Sequence, residues 1–157
     1  MHNRLAKTAR TFSFLSVVSL LSACGGGDGR MDLNGKVTFD GKPVVYGLIE
    51  FIPDTEKQHN GPAGSAEIID GSYNTADTNS GIFPGPHKAR ITVCEERPPK
   101  ATDDETQTVA AKPPIITGYT IDKDLKEPTN NFEIPQSALG FDYRNPQKGK
   151  SPSGPIP

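Results

Sequence analysis

Cys24 is the residue of this chain whose surroundings point most directly to chemistry, because it follows a three-part N-terminal segment. Three basic residues and no acidic residue lie within residues 1–10, and residues 11–21 (TFSFLSVVSLL) are apolar or small. An apolar run of this length is too short to cross a membrane, which takes about 20 residues. It is typical of the central part of a secretory signal peptide. We therefore predict that residues 1–23 are a cleaved signal peptide.

Residues 21–24 (LSAC) resemble the lipobox of bacterial lipoproteins, in which an aliphatic residue and two small residues precede a cysteine. The resemblance implies that the Cys24 thiol forms a thioether to diacylglycerol and that the chain is cut just before it. The expected partner is then a membrane, reached through lipid on Cys24, and the expected location is the bacterial cell envelope. Gly25, rather than aspartate, follows the cysteine, and for a lipoprotein of a two-membrane envelope the resemblance then implies sorting to the outer membrane.

The expected mature chain is mildly acidic and begins with a flexible segment. Residues 24–31 (CGGGDGRM) combine the lipidated cysteine with a glycine-rich tether, since glycine-rich segments are flexible. Removal of residues 1–23 takes away three basic residues and leaves 14 Lys and Arg against 19 Asp and Glu. Nucleic-acid binding usually relies on a basic face, so we expect no nucleic-acid partner.

The other residues able to do chemistry are few. Cys94 has no second cysteine for a disulfide once Cys24 is lipidated, and no CxxC or HExxH motif indicates zinc. Cys94 shares the outward parity of Lys88 and Arg90, where a positive charge lowers a thiol pKa, but no base partner is visible, so we interpret it as a structural thiol rather than a nucleophile. His59 lies in a polar loop, whereas His87 alternates with apolar residues, which is more typical of a core histidine than of a general base. We therefore expect no catalytic, cofactor or metal site, and interpret the acidic run 103–105 as a solvated stretch.

The elements that must position these residues are strands. The 16 Gly and 15 Pro residues argue against a helical bundle, because both residue types interrupt helices. Alternating apolar and polar residues between turn residues predict seven strands, at residues 33–39, 44–52, 63–70, 72–76, 87–94, 115–121 and 131–134. We predict an all-β chain that forms an antiparallel sandwich of six or seven strands.

The domain is expected to cover residues 32–135. Residues 95–114 are polar, charged and proline-bearing, and are expected to form a mobile loop within it. Residues 136–157 end in a segment rich in Pro, Gly and Lys, and are expected to form a disordered tail.

Four segments in order resemble the carboxypeptidase-regulatory-like, transthyretin-like domains of small bacterial envelope lipoproteins. They are GKVTFDGKPV (35–44), IEFIP (49–53), DGSY (70–73) and FPGPHKARI (83–91). The resemblance implies a seven-stranded transthyretin-like or immunoglobulin-like β-sandwich. It covers about residues 33–94, with a weaker end at 129–134.

Four residues of these segments are expected to be structural. Gly41 and Gly71 permit turn backbone that a Cβ would oppose, and Tyr73 offers a large apolar face between two sheets. Gly85 is expected to turn the chain into the strand that begins at His87. One departure is visible, since His87 stands where the family usually has an aromatic residue.

Two alternatives to a plain sandwich domain remain. Transthyretin-like hydroxyisourate hydrolases resemble this architecture and end in Tyr-Arg-Gly-Ser, whereas residues 143–146 read YRNP here. Pilin-type surface domains carry a Lys–Asn isopeptide bond, for which Lys36 and the asparagines at 130–131 are the candidates, although Lys36 alternates outward. The leading hypothesis is a lipid-anchored, non-catalytic domain that acts as a structural or interaction module. Its partner would be a protein, a glycan or a second copy of the chain.

Overall fold

The computed structural model describes residues 29–98 and 112–145. The predicted signal peptide, Cys24 and most of the tether and the loop lie outside the described residues. The described chain forms eight strands: β1 (Asn34–Phe39), β2 (Lys42–Pro43), β3 (Tyr46–Pro53), β4 (Gly64–Ile69), β5 (Ser72–Asn74), β6 (Gly85–Cys94), β7 (Ile116–Leu125) and β8 (Phe132–Ile134). Short 3₁₀ helices cover Thr55–Lys57, Thr75–Thr78 and Gln136–Ala138. No helix in the described ranges has the length and apolar character that crossing a membrane requires.

The strands form one curled, largely antiparallel sheet. Its order is β2-β1-β5-β4-β3-β6-β7, and β8 pairs with β1 in parallel. The longest ladders join β3 to β6 and β6 to β7, and the first runs from Tyr46 opposite Cys94 to Pro53 opposite His87. The all-β, antiparallel prediction is therefore confirmed. The seven predicted strands correspond to β1 and β3–β8, and β2 is a short addition.

Strand β1 pairs with different strands along its two halves. Its first half, residues 34–36, pairs with β5, and its second half, residues 37–39, pairs with β8 and β2. Strands β2 and β8 and the second half of β1 form a small layer, and Phe132 of β8 packs against Phe51 of β3, which gives the chain its sandwich-like character.

The core lies between these two layers. Every second residue of β6 is buried, as expected for a strand with one face against a core. The Phe51 ring lies 5.6 Å from the Tyr73 ring and 6.0 Å from the Phe132 ring, so β3, β5 and β8 meet at one aromatic cluster. Such tilted ring pairs stabilise a core beyond the burial of their area.

Two Asp-Gly pairs turn the chain back on itself. Asp40 and Gly41 have φ values of 50° and 72°, and Asp70 and Gly71 have values of 48° and 73°. Positive φ at both central residues is the signature of a type I′ turn, which matches the twist of the flanking strands. The hairpin predicted at residues 70–71 is therefore present, and β1 and β2 form a second one.

Residues 136–145, which the sequence placed in a disordered tail, are ordered and pack on the sheet. Ala138 and Phe141 are buried, and the Phe141 ring meets the Tyr119 ring edge-on at 5.7 Å. The backbone at Asp142 pairs with Thr117 of β7. The physical reason is that the Phe141 ring packs against β7 and buries apolar area there. The rest of the segment is mostly polar, so its composition does not predict this contact.

Candidate functional site

Two histidines far apart in the chain meet where β6 begins. His87 points inward from β6 and is 1% exposed, whereas His59 lies half-buried in the segment between β3 and β4. Their ring centroids are 4.8 Å apart, and the planes are inclined by 66°. We call these two side chains the histidine pair.

A tight turn after β3 brings His59 to this place. The Asp54 amide donates to the Pro86 carbonyl oxygen at 3.0 Å, which fixes the turn to the start of β6. The Asp54 carbonyl oxygen then accepts the backbone amides of Lys57 and His59 at 3.0 and 3.1 Å. The chain therefore folds back toward β6 within six residues of the end of β3.

Gly85 makes room for the His59 ring. Its φ of +146° lies in a region that side chains rarely adopt, and a Cβ at this position would lie 2.5 Å from His59 Cε1. The sequence placed Gly85 before a strand that starts at His87, but β6 already begins at Gly85. The requirement for glycine thus comes from the close approach of His59.

Hydrogen bonding fixes the proton position on His87. Its Nδ1 lies 2.9 Å from the Gly85 carbonyl oxygen. Since a carbonyl oxygen only accepts, Nδ1 carries the proton, and Nε2 of the neutral ring holds a lone pair. That Nε2 atom is buried and has no hydrogen-bond partner among the described residues.

The surroundings of His87 keep its ring neutral. Burial lowers the pKa of His87, and the neighbouring His59 acts in the same direction. The hydrogen bond to Gly85 and the charges of Asp124 and Asp54 offset this only in part. Desolvation disfavours the charged imidazolium, so neutral imidazole is the form that the core accommodates.

Asp54 is a second buried polar group beside the histidine pair. Its side chain is 1% exposed, with Lys57 Nζ 3.1 Å from Oδ2 and Lys88 Nζ 3.8 Å from Oδ1. Burial is the largest single influence on the pKa of Asp54 and would raise it. The hydrogen bond from Lys57 and the charge of Lys88 together outweigh burial, so the pKa of Asp54 is lowered. The carboxylate is therefore held in its charged form.

The opposite face of the sheet carries a paired charge cluster. Arg90 donates to both carboxylate oxygens of Glu50, at 3.0 and 3.2 Å, and the pKa of Arg90 is raised mainly by this contact. The Arg90 guanidinium also lies 5.6 Å from the centroid of the Tyr143 ring, which packs directly on Gly118. A bidentate pair of this kind orients both side chains toward each other.

His87 and Arg90 project to opposite faces of β6. They are three residues apart, and side chains alternate between faces along a strand. His87 is in the core, while Arg90 is on the outward face with Glu50. The two side chains therefore do not line a common pocket.

Cys94 occupies the end of β6, opposite Tyr46. It is a free thiol, half-buried, and burial raises its pKa. Desolvation of the thiolate, rather than a nearby positive charge, therefore sets the direction of the shift at this position.

The predicted structural residues lie at turns and in the core. Gly41 sits in an open turn, whereas a Cβ on Gly71 would come within 2.7 Å of Pro43 Cβ. Tyr73 is buried, and burial raises the pKa of its hydroxyl, which donates to the Asn130 carbonyl oxygen. The proposed lipidation residue, Cys24, lies outside the described residues.

The residues named for an isopeptide bond are not arranged as that chemistry needs. Lys36 is exposed, and its backbone amide, rather than its side chain, contacts Asn131 Oδ1 at 2.9 Å. The Asn130 side chain donates to the Glu127 carbonyl oxygen at 2.7 Å. The cross-link requires a buried lysine beside the asparagine.

Sequence reasoning missed the histidine pair as a unit. Neither the distance between the two residues along the chain nor any local motif predicts that the loop with His59 folds onto Gly85. The sequence indicated only that His87 alternates with apolar residues along its strand, which predicts a side chain that points into the core. Among residues 29–98 and 112–145, no group of three or more His, Cys, Asp or Glu is placed to hold a metal ion.

Comparison with family models, curated proteins and solved structures finds no significant match to this chain. The class that the structure defines is an all-β domain built on a curled antiparallel sheet. The resemblance to transthyretin-like lipoprotein domains accordingly stays an expectation that rests on the sequence segments themselves.

Proposed function

We propose that the chain is a lipid-anchored β-sandwich domain of the bacterial envelope that acts as a non-catalytic interaction or structural module. The anchoring part is supported by the LSAC tetrapeptide behind a basic and then apolar N-terminal segment. The family part is supported by the ordered segments that resemble carboxypeptidase-regulatory-like domains. The all-β fold is compatible with both.

The position at which the fold begins supports a short tether. Met31 already pairs with Ile82 through two backbone hydrogen bonds, at 2.7 and 3.0 Å. Six residues lie between Cys24 and Met31, and the seven Cα–Cα steps that join them reach at most roughly 25 Å, at about 3.6 Å per step. A lipidated Cys24 would therefore hold the domain close to the bilayer, and its partner would be met there.

The observation that carries the non-catalytic part is the separation of His87 from Arg90. A hydrolase of the transthyretin-like class needs histidine and arginine side chains that converge on one substrate, within hydrogen-bond reach of it. Here the histidine is in the core, and the arginine is engaged by Glu50 on the outward face. Tyr143 does lie beside Arg90, but the buried His87 does not share that face.

The anchor is tested by metabolic labelling with an alkyne analogue of palmitate in a bacterial host. The wild-type chain and a Cys94→Ala variant should both take up label and sediment with membranes. A Cys24→Ala variant should lose the label and remain as the uncleaved precursor. Equal labelling of the wild type and Cys24→Ala would overturn the proposed anchor. Loss of label in Cys94→Ala would also overturn it, because the lipid would then be on Cys94 instead of Cys24.

The module is tested by photo-crosslinking in intact cells. A photoreactive amino acid at Leu48, an exposed residue of the outward face, should give a discrete crosslinked species when the domain is anchored. The same substitution in a chain whose residues 1–24 are replaced by a cleavable signal peptide without a lipobox should not, because that chain has no anchor and the partner is expected at the membrane. Identical crosslinks from both chains would contradict a membrane-proximal interaction.

A further inference from the structure

Both members of the histidine pair donate one ring N–H to a backbone carbonyl. His87 Nδ1 lies 2.9 Å from the Gly85 oxygen, and His59 Nε2 lies 3.3 Å from the Phe83 oxygen. Since both partners are pure acceptors, the remaining lone pairs are on His87 Nε2 and His59 Nδ1. Histidines that bind metals are oriented in this way, with the other ring nitrogen held by a carbonyl or carboxylate.

The lone pair of His87 has no donor to satisfy it. Its Nε2 atom is buried and without a hydrogen-bond partner among the described residues. Buried polar atoms in folded proteins are almost always paired. An unpaired nitrogen lone pair in the core is therefore a place where a group from outside the chain can bind.

The spacing of the two rings suits a shared ligand. Their centroids are 4.8 Å apart. With metal–nitrogen bonds of about 2.0–2.1 Å, two neighbouring imidazoles on one tetrahedral ion have centroids roughly 5 Å apart. The ion would then sit between a buried ring and a half-buried ring, which leaves one side toward the surface.

Two carboxylates lie near the pair, and each is paired with a lysine. Asp54 and Asp124 both act on His87, and Lys126 Nζ lies 2.6 Å from Asp124 Oδ2. Lys57 and Lys88 compensate Asp54 from the surface side.

From these observations we infer that His59 and His87 form a binding site for one divalent transition-metal ion of the class that imidazole prefers, such as Zn²⁺ or Cu²⁺. The described residues supply two side-chain ligands rather than three. The remaining positions on the ion are therefore filled by water or by a donor group from another molecule. This inference is independent of the lipid anchor.

The site is tested by calorimetric titration of Zn²⁺ into the full chain, purified in mild detergent and freed of metal with EDTA. One ion should bind per chain, and His59→Ala should weaken binding by about tenfold or more. Asn60→Ala, in the same loop, serves as the control and should bind as the wild type does. Far-UV circular dichroism verifies that each variant keeps its strands.

A second measurement uses the wild-type chain and so does not depend on any variant. In ¹⁵N imidazole spectra, Zn²⁺ should shift His87 Nε2 and His59 Nδ1 together at a ratio of one ion per chain. With Cu²⁺, pulsed electron paramagnetic resonance should report two coordinated imidazoles. The inference is overturned if no ion binds, if His59→Ala binds as tightly as the wild type, or if a single imidazole responds.

Discussion

The Tyr73 hydroxyl donates a 2.8 Å hydrogen bond to the carbonyl oxygen of Asn130, 57 residues further along the chain. The backbone amide of Asn130 in turn donates to Asn34 at 2.8 Å. Strands β5 and β1 and the segment before β8 are thus joined at one buried point. Because the Tyr73 ring also packs on Phe51, this point couples backbone pairing to core packing.

Replacement of Tyr73 by phenylalanine should destabilise the domain while leaving its shape unchanged. The ring contacts stay, but the buried Asn130 carbonyl oxygen loses its donor, which typically costs about 1–3 kcal/mol of unfolding free energy. Urea unfolding followed by circular dichroism measures the loss. Tyr143→Phe is the matched control, since Tyr143 is 51% exposed and should change stability by less than about 0.5 kcal/mol. Equal effects of the two substitutions would contradict a role for the Tyr73 hydroxyl.

Alanine substitutions at Gly41 and Gly71 should have unequal effects, although both glycines occupy the same position of an Asp-Gly turn. Their φ values are +72° and +73°, so the strain of a left-handed residue, about 1–2 kcal/mol, applies to both. Only Gly71→Ala adds a contact, since its Cβ would lie 2.7 Å from Pro43 Cβ. We expect Gly71→Ala to lower the urea midpoint more than Gly41→Ala. Identical midpoints would show that Pro43 moves aside at no cost.

Phe141→Ala should destabilise the domain by about 3 kcal/mol or more, which is typical of removing a buried aromatic ring. Phe141 is 6% exposed and meets Tyr119 edge-on. Leu139→Ala is the control two residues away, where the side chain is 52% exposed and the expected change is small. Thermal unfolding of both variants checks this. If Phe141→Ala unfolds at the wild-type temperature, residues 136–145 contribute nothing to the fold.

Stability should fall with acidification below about pH 6.5, because the pKa of His87 is lowered in the folded state. The unfolded chain then takes up a proton at a higher pH than the folded chain does, which favours unfolding. The contribution of His87 to the unfolding free energy is fully present above pH 6.5. It is lost as the pH falls from 6.5 toward the pKa of His87 in the folded chain, and it changes no further below that pKa. The lowered pKa of Asp54 adds a separate loss only below 3.8.

Urea unfolding at about pH 7.5 and about pH 5 measures this dependence. His87→Gln should reduce the difference between the two conditions relative to the wild type, since glutamine does not titrate. His59→Ala should keep most of it, because burial is the larger cause of the shift. An unchanged difference in His87→Gln would assign the pH dependence to other groups.

The sheet was largely predictable because its strands alternate and its turns use Asp-Gly pairs. Residues 85–94 show strict alternation, and each inward position is buried in the structure. Val44 illustrates the limit of such patterns, since it was predicted within a strand. It is buried in the link between β2 and β3, and its amide bonds to the Val37 carbonyl oxygen. A buried position outside a strand depends on tertiary packing that alternation does not encode.

The histidine pair was not predictable for a related reason. The inward orientation of His87 could be predicted because the residue alternates with apolar neighbours along its strand. His59 lies in a polar loop that has no such alternation. Its position depends on the turn around Asp54 and on the bare backbone of Gly85. Likewise, the order of residues 136–145 depends on the single ring of Phe141, which a composition dominated by polar residues does not reveal.

The sharing of β1 between two layers has a consequence for how the domain comes apart. One half of this strand is held by β5 and the other by β8 and β2, so removal of β1 breaks hydrogen bonds in both layers. Loss of this one strand would therefore disconnect the small layer from the rest of the sheet.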